Sequence, residues 1–248
     1  MSTSERLKVL AVGGHPSDIF PNIGGTVAKH VNRGDEVVLL TLTYGVEVHT
    51  ERLVGKSEQE IKEIIYKQST DAAKILGVDD YRFLDFGDNP LVPTREKLIE
   101  LGETIQDIRP DMIISAHYPF RETGWGGDHG QAARMLELAP SNRKHAGRHA
   151  GEEAHTTKAF WYATIDFMAS MNHPMYNLVN TFVDIEDTLE QKLEACITTW
   201  DLPDDSLDSF RETMLTMLRY FGSIGGVKYA EPFERPWLGQ NTVEYLRP

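Results

Sequence analysis

One cysteine, Cys196, stands in a chain of 248 residues, so no intramolecular disulfide forms and no cysteine-based zinc site can be built. Basic residues are also few. The 25 Lys and Arg are outnumbered by 38 Asp and Glu, a formal net charge of −13, which argues against a general nucleic-acid binder and an anionic membrane surface. No apolar run approaches membrane-spanning length, and the opening Met-Ser-Thr-Ser-Glu-Arg-Leu-Lys carries no signal-peptide core. A soluble, cytoplasmic protein is expected, with a small-molecule substrate and neither nucleic acid nor membrane as partner. A Pro/Ser-rich linker is missing too, so one domain is expected over residues 1–248. Gly13-Gly14 and Gly24-Gly25 do not make a G-x-G-x-x-G fingerprint, which speaks against nicotinamide binding.

What is present alternates. Residues 7–12, Leu-Lys-Val-Leu-Ala-Val, read as a buried parallel strand. A helix follows over 24–32, stopped by Gly34, and then a second buried strand over 36–43. Ser57-Glu58-Gln59-Glu60 resembles a capping box that opens a long helix ending at Leu76-Gly77. A strand over 81–85, a helix over 94–108 and a strand over 112–116 continue the rhythm. This βαβα order predicts an α/β fold with a Rossmann-like, doubly wound, mostly parallel sheet flanked by helices over residues 1–140. The part from 141 to 248 is less regular: a polar insertion over 142–155, strands over 158–165 and 181–185, and helices over 188–200 and 206–221. Its tail, 231–237, carries prolines and aromatics that look exposed and able to pack on a neighbouring subunit.

Two clusters carry chemistry. His15 and Asp18 lie where the first strand ends, and the carboxyl ends of strands are the usual ligand site of an open α/β sheet. The alternative is a histidine bonded to a turn, with Asp18 capping the next helix. Asp128 and His129 precede a helix-like run over 131–138, after the strand that ends at His117. Two strand-end clusters, each with a histidine and a carboxylate, favour a metal over a hydrogen-bonded loop. Two His and one Asp make a plausible catalytic zinc set with positions left for water and substrate, although such O/N donors also suit iron, manganese or cobalt.

The His-x-x-Asp after the first strand, the Gly-Gly-Thr that follows, and the later Asp-His before a helix resemble the PIG-L/LmbE family of zinc-dependent deacetylases and their relatives. Residues 108–114, 182–185 and Gln191-Lys192 extend the resemblance over most of the chain. It implies one zinc ion held by His15, Asp18 and His129. It also exposes two departures. Family deacetylases usually keep an Asp general base where this chain has Ser17, and a histidine that stabilises the tetrahedral intermediate where it has Gly126. The 4-oxalomesaconate hydratases of the same family similarly lack that Asp. Tyr44-Gly45-Val46-Glu47 and residues 84–91, Leu-Asp-Phe-Gly-Asp-Asn-Pro-Leu, look like that branch, with Val46 inserted before the acidic residue.

The resemblance therefore implies a hydratase acting on an unsaturated keto carboxylic acid, with an amidohydrolase of an amino sugar as the alternative and a catalytically silent metal-binding relative as a third reading. Hydration needs a Lewis acid plus a base and an acid. Glu47 and Asp128 are the candidate carboxylates, and His149 or His155, on an insertion able to fold over the site, is the candidate acid. Ser17, His117, Arg121, Trp125 and Arg148 are expected on the substrate side. Arg121 and Arg148 suit a carboxylated substrate, since arginine holds carboxylates bidentately, while Arg148 could equally pair with surface glutamates; Trp125 and Tyr118 would suit a sugar. A homo-oligomer is expected by resemblance.

Overall fold

The computed structural model describes residues 5–48, 53–117, 127–143, 147–164, 179–235, 241–243 and 246. Among these residues eight strands form one sheet in the order β3-β2-β1-β4-β5-β7-β6-β8. β1 (Lys8–Gly13), β2 (Glu36–Thr41), β3 (Asp80–Phe83), β4 (Met112–Ser115) and β5 (Ala159–Ala163) run parallel. β7 (Ala230–Glu234) lies antiparallel to β5 and to β6 (Thr181–Asp184), and β8 (Asn241–Val243) pairs parallel with β6. β1 is flanked by β2 on one side and β4 on the other, so the chain reverses its direction of winding there. A crevice opens at the carboxyl ends of such a pair.

Alternation along β1 explains the layers. Val9 and Ala11 face one core, shared with α1 (Ile19–Arg33), α2 (Glu58–Ile75), α5 (Leu189–Trp200) and α6 (Leu207–Gly225). Leu10 and Val12 face the other, closed by α3 (Arg95–Ile108) and α4 (Gly127–Arg143). The Ser57–Glu60 capping box opens α2 as its sequence predicts, with both reciprocal bonds present. No helix among the described residues is long and apolar enough to cross a membrane.

Three expectations change. Helix α1 begins at Ile19 rather than at residue 24, because Pro21 falls in its first turn, where a missing N–H is tolerated. Helix α4 begins at Gly127, so Asp128 and His129 lie inside its first turn instead of ahead of it. The tail is not an exposed subunit contact over its first four residues: Glu231, Pro232, Phe233 and Glu234 belong to β7, a buried interior strand between β5 and β6. Pro236 and Trp237 lie outside the described residues.

Glycine inside α1 has a packing cause. A Cβ on Gly25 would stand 2.8 Å from Ile185 Cγ2 and 2.9 Å from its Cβ, and a β-branched side chain has little freedom to yield. Gly25→Ala should destabilise the fold by roughly 1–3 kcal/mol through overpacking; an unchanged urea midpoint would contradict this contact.

The start of β1 is tied to the turn before β2 by Asp35. Its buried carboxylate accepts Leu7 N–H at 2.9 Å, His30 Nδ1 at 2.7 Å and Arg33 Nε at 2.8 Å. Burial opposes its ionisation, yet these partners lower its pKa below the usual value. A depressed carboxyl stabilises the fold above its unfolded pKa of about 3.9, and that stability is lost as pH falls through the lower folded value. Asp35→Asn should cost stability at pH 7 and flatten the acid limb below about pH 4, measured as urea midpoint against pH; an acid limb as steep as in the parent chain would remove Asp35 from this role.

Candidate metal centre

The turn 13–18 is built to bring a backbone close. A side chain at Gly13 would place its Cβ 2.8 Å from the His15 carbonyl oxygen. The Gly14 carbonyl accepts Thr43 N–H at 3.1 Å and the Thr43 hydroxyl at 3.0 Å, which fastens the turn to the end of β2. Tyr81 on β3 donates its hydroxyl to the Pro16 carbonyl at 2.8 Å. Asp18 does not cap α1 with its side chain. Its Oδ2 instead accepts the His15 backbone N–H at 2.6 Å, and the Asp18 N–H donates back to His15 O at 3.2 Å.

That reciprocal turn aims His15 and Asp18 at His129 in the first turn of α4. His15 Nδ1 lies 3.2 Å from His129 Nε2 and 3.5 Å from Asp18 Oδ2, and His129 Nε2 lies 3.6 Å from Asp18 Oδ1. Tetrahedral donors about 2.0–2.1 Å from an ion are about 3.3 Å from one another. The two histidine nitrogens stand at that spacing, each faces an oxygen of Asp18, and one donor atom from each residue lies within 4.8 Å of the others; the N, O, N donor set suits a divalent transition metal. All three residues are buried.

Surrounding groups orient these donors. His117, at the end of β4, places Nε2 2.8 Å from Asp18 Oδ2, and its ring stacks on His129 with centroids 4.0 Å apart and planes at 3°. Asp128 places Oδ2 3.3 Å from His15 Nε2, on the opposite edge of the ring from Nδ1. A carboxylate on the far nitrogen of a ligand histidine sets its tautomer and orientation. Asp128 is itself held by the N–H groups of Asn89 at 2.7 Å and Leu91 at 2.6 Å. Asp88 accepts Val46 N–H at 3.1 Å and Glu47 N–H at 2.9 Å.

His15, Asp88 and Asp128 form a second close group. Every carboxylate oxygen in it already accepts a backbone N–H, so the group straps the loops after β2 and β3 to His15. The Asn89–Pro90 peptide within that strap is cis, and Asn89 takes the left-handed conformation at φ 48°.

Electrostatics follow from burial and sign. Burial would depress the His15 imidazole, but Asp18 and then Asp128 raise it from 6.5 to about 10. Burial opposes ionisation of Asp18, yet His129, His117 and His15 hold its carboxyl well below the usual range. Asp128 likewise resists burial and is drawn down to about 2 by His15 and the Leu91 and Asn89 N–H groups. Asp88 goes the other way. Burial raises it against the Glu47 N–H and the His15 charge. Anionic Asp18 and Asp128 thus hold a proton on His15 that a divalent cation on the same donors would displace.

Not every expected residue is here. Ser17 is half-buried in the turn, His117 is buried beside it, and the exposed Glu47 lies on the loop strapped by Asp88. The insertion carrying Arg148, His149 and His155 does not fold over the site. Arg148 pairs with Glu103 and Asp107, His149 bridges Asp107 at 2.8 Å and Glu152 at 2.9 Å, and His155 Nε2 meets the Pro110 carbonyl at 2.7 Å. These partners end α3 and precede β4, at the opposite end of the sheet from His15. The carboxylates of α3 draw the basic segment there. Arg121, Trp125 and Tyr118 lie outside the described residues. Asp88 was missed as a site residue, although Gly87-Asp88-Asn89-Pro90 after a strand was the available signal.

Comparison with known proteins matches residues 10–139 to the family model PIG-L, GlcNAc-PI de-N-acetylase. The chain is 31% identical over 235 residues to a diacetylchitobiose deacetylase of Thermococcus kodakarensis, covering 90% of this chain and 81% of that one. It is 26% identical over 118 residues to a 4-oxalmesaconate hydratase of Pseudomonas putida, covering 46% and 45% of the two chains. Among solved structures, an N,N'-diacetylchitobiose deacetylase from Pyrococcus horikoshii superposes with TM-score 0.74 at 24% identity, over 93% of this chain and 84% of that one. The 4-carboxy-2-hydroxymuconate hydratase of Pseudomonas putida superposes with TM-score 0.76 at 20% identity, over 96% and 100%.

Removing a donor and removing its orienter should differ in degree. His129→Ala is expected to abolish stoichiometric zinc, whereas Asp128→Asn should keep the ion but weaken its binding by about 10–100-fold. Metal content after gel filtration and a chelator competition titration measure the two. Full zinc in His129→Ala would mean that the donor set is wrong.

Proposed function

Because this chain belongs to the PIG-L family, whose model covers residues 10–139, we propose that it is a zinc-dependent hydrolase removing an acyl group from the nitrogen of an amino sugar or a similar small amide. The observation that carries this reading is the convergence of His15 Nδ1, Asp18 and His129 Nε2 at the sheet's switch point. The 31% identity with a diacetylchitobiose deacetylase over 90% of the chain supports the reaction class. When bound, zinc supplies Lewis acidity toward a water and a carbonyl oxygen.

The remaining work falls to side chains. Ser17 occupies the position of the usual base and has no charge with which to accept a proton. Asp128 is a weak base, being held to about 2 by His15 and two backbone N–H groups. Asp88 is raised above the ordinary carboxylate value chiefly by burial, but both its oxygens accept backbone N–H groups, those of Val46 and Glu47, so its place is to hold the loop after β2 beside His15. His117 keeps Asp18 aligned through the 2.8 Å contact.

A second reading is favoured by one observation, Ser17 itself. Hydration of a double bond conjugated to a carbonyl needs no base at that position and would use Glu47 for proton transfer. The 26% identity with a 4-oxalmesaconate hydratase over 118 residues is compatible with it. Arg148 cannot hold that substrate's carboxylate while paired with Glu103 and Asp107.

The two separate in one assay. Zinc-loaded protein is incubated with N-acetylated chitooligosaccharides and, in parallel, with conjugated enol and keto acids, following acetate release and ultraviolet absorbance. Acetate release is expected, and it should be lost together with the zinc in His129→Ala. Loss of the conjugated absorbance without acetate release would overturn hydrolysis in favour of hydration.

A further inference from the structure

A charged pair lies far inside the molecule, away from every donor of the metal centre. Lys192 on α5 and Glu231 on β7 are both 0% exposed, with Nζ 2.6 Å from Oε1. Neither touches the centre. Both instead insert into the opening turns of α1. Lys192 Nζ donates to the Phe20 carbonyl at 3.2 Å and to the Pro21 carbonyl. Glu231 Oε1 accepts Gly25 N–H at 2.9 Å and Oε2 accepts Thr26 N–H at 2.8 Å. In an uninterrupted helix the carbonyls of residues 20 and 21 would be taken by the N–H groups of residues 24 and 25. Here side chains from the C-terminal half occupy part of that ladder.

Stability is a poor explanation for the pair. Two charges taken from water are costly, and apolar residues of similar volume often do as well or better. Four directional bonds to α1, however, fix where the helix sits along and around its axis, which apolar packing does less sharply. The Thr188 hydroxyl adds a bond to the Gly25 carbonyl at 2.9 Å, and Asn22 Nδ2 ties the other side of the helix to the Ala116 carbonyl at 3.1 Å, next to His117. Asp18 is the residue immediately before this helix, and its carbonyl accepts the Asn22 N–H at 3.4 Å. Any slide or rotation of the opening turns moves the Asp18 carboxylate relative to His15 and His129.

We infer that Lys192 and Glu231 are positioning residues of the metal centre: their buried ion pair locks the first turns of α1 so that Asp18 completes the donor set. The inference rests on the reading of His15, Asp18 and His129 as metal ligands. Partners bonded directly to metal ligands typically govern affinity by about 10–100-fold, and a pair acting through the helix next to Asp18 is expected at the lower end of that range.

The test is the zinc dissociation constant of chelator-stripped protein, read by competition with a chromophoric chelator and independent of any substrate. The double variant Lys192→Met/Glu231→Gln removes both charges at similar volume. Its affinity for zinc is expected to fall at least 10-fold. Gly222→Ala on α6 serves as the control for general destabilisation, since a Cβ there would stand 2.5 Å from the Lys228 carbonyl oxygen in the turn between α6 and β7; its zinc affinity should stay within about twofold of the parent. Equal affinities in the double variant and the control would overturn the positioning role. If the double variant does not fold, Glu231→Gln alone reads the same quantity with an expected several-fold loss, and parent-like affinity there would overturn the role equally. A parent chain that binds no zinc would instead fail the ligand reading, and the inference with it.

Discussion

The Asp18 carboxylate is the group on which the site depends. Its Oδ2 meets the His15 backbone N–H at 2.6 Å and His117 Nε2 at 2.8 Å, and Oδ1 faces His129 Nε2 at 3.6 Å. One side chain thereby joins the end of β1, the end of β4 and the first turn of α4. A buried anion with so many donors around it is costly to leave unpaired, so the three histidines that meet there are constrained by the same charge that would help bind a cation. Hydrolysis and hydration alike would draw on this centre and differ only in the groups around it.

Around it the molecule divides its carboxylates by environment. Asp128, with His15 and two amide N–H groups, is kept strongly ionised, while Asp88, a few ångströms away with fewer compensating partners, is pushed the other way. The same arrangement ties the loops after β2 and β3 to the His15 ring.

Much of this was legible from residue order. Short β-branched runs separated by capped helices specify parallel strands and crossovers, and the ends of such strands are where ligands gather; His15, Asp18 and His129 follow from that pattern and the family resemblance. The errors have physical causes. His149 and His155 looked available because a polar, histidine-rich insertion carries no mark of which end of the sheet it will cover. Asp107 and Glu103, on α3, drew it to the far end. The tail at 231–234 looked exposed because proline and glutamate are unfavourable in interior strands, yet Pro232 is accommodated in β7 and Glu231 finds Lys192.

Local chemistry by itself determined the strands, the capping box, the absence of disulfides and the presence of two His/carboxylate clusters, since each depends on neighbours within a few residues. Only the tertiary structure decided that Asp128 meets His15, that Asp88 lies beside them, and that Lys192 and Glu231 meet against the opening turns of α1. Those contacts join residues from 37 to 206 positions apart. Hydrogen-bond and charge pairing at such separation is set by how the layers stack, which residue spacing along the chain does not encode.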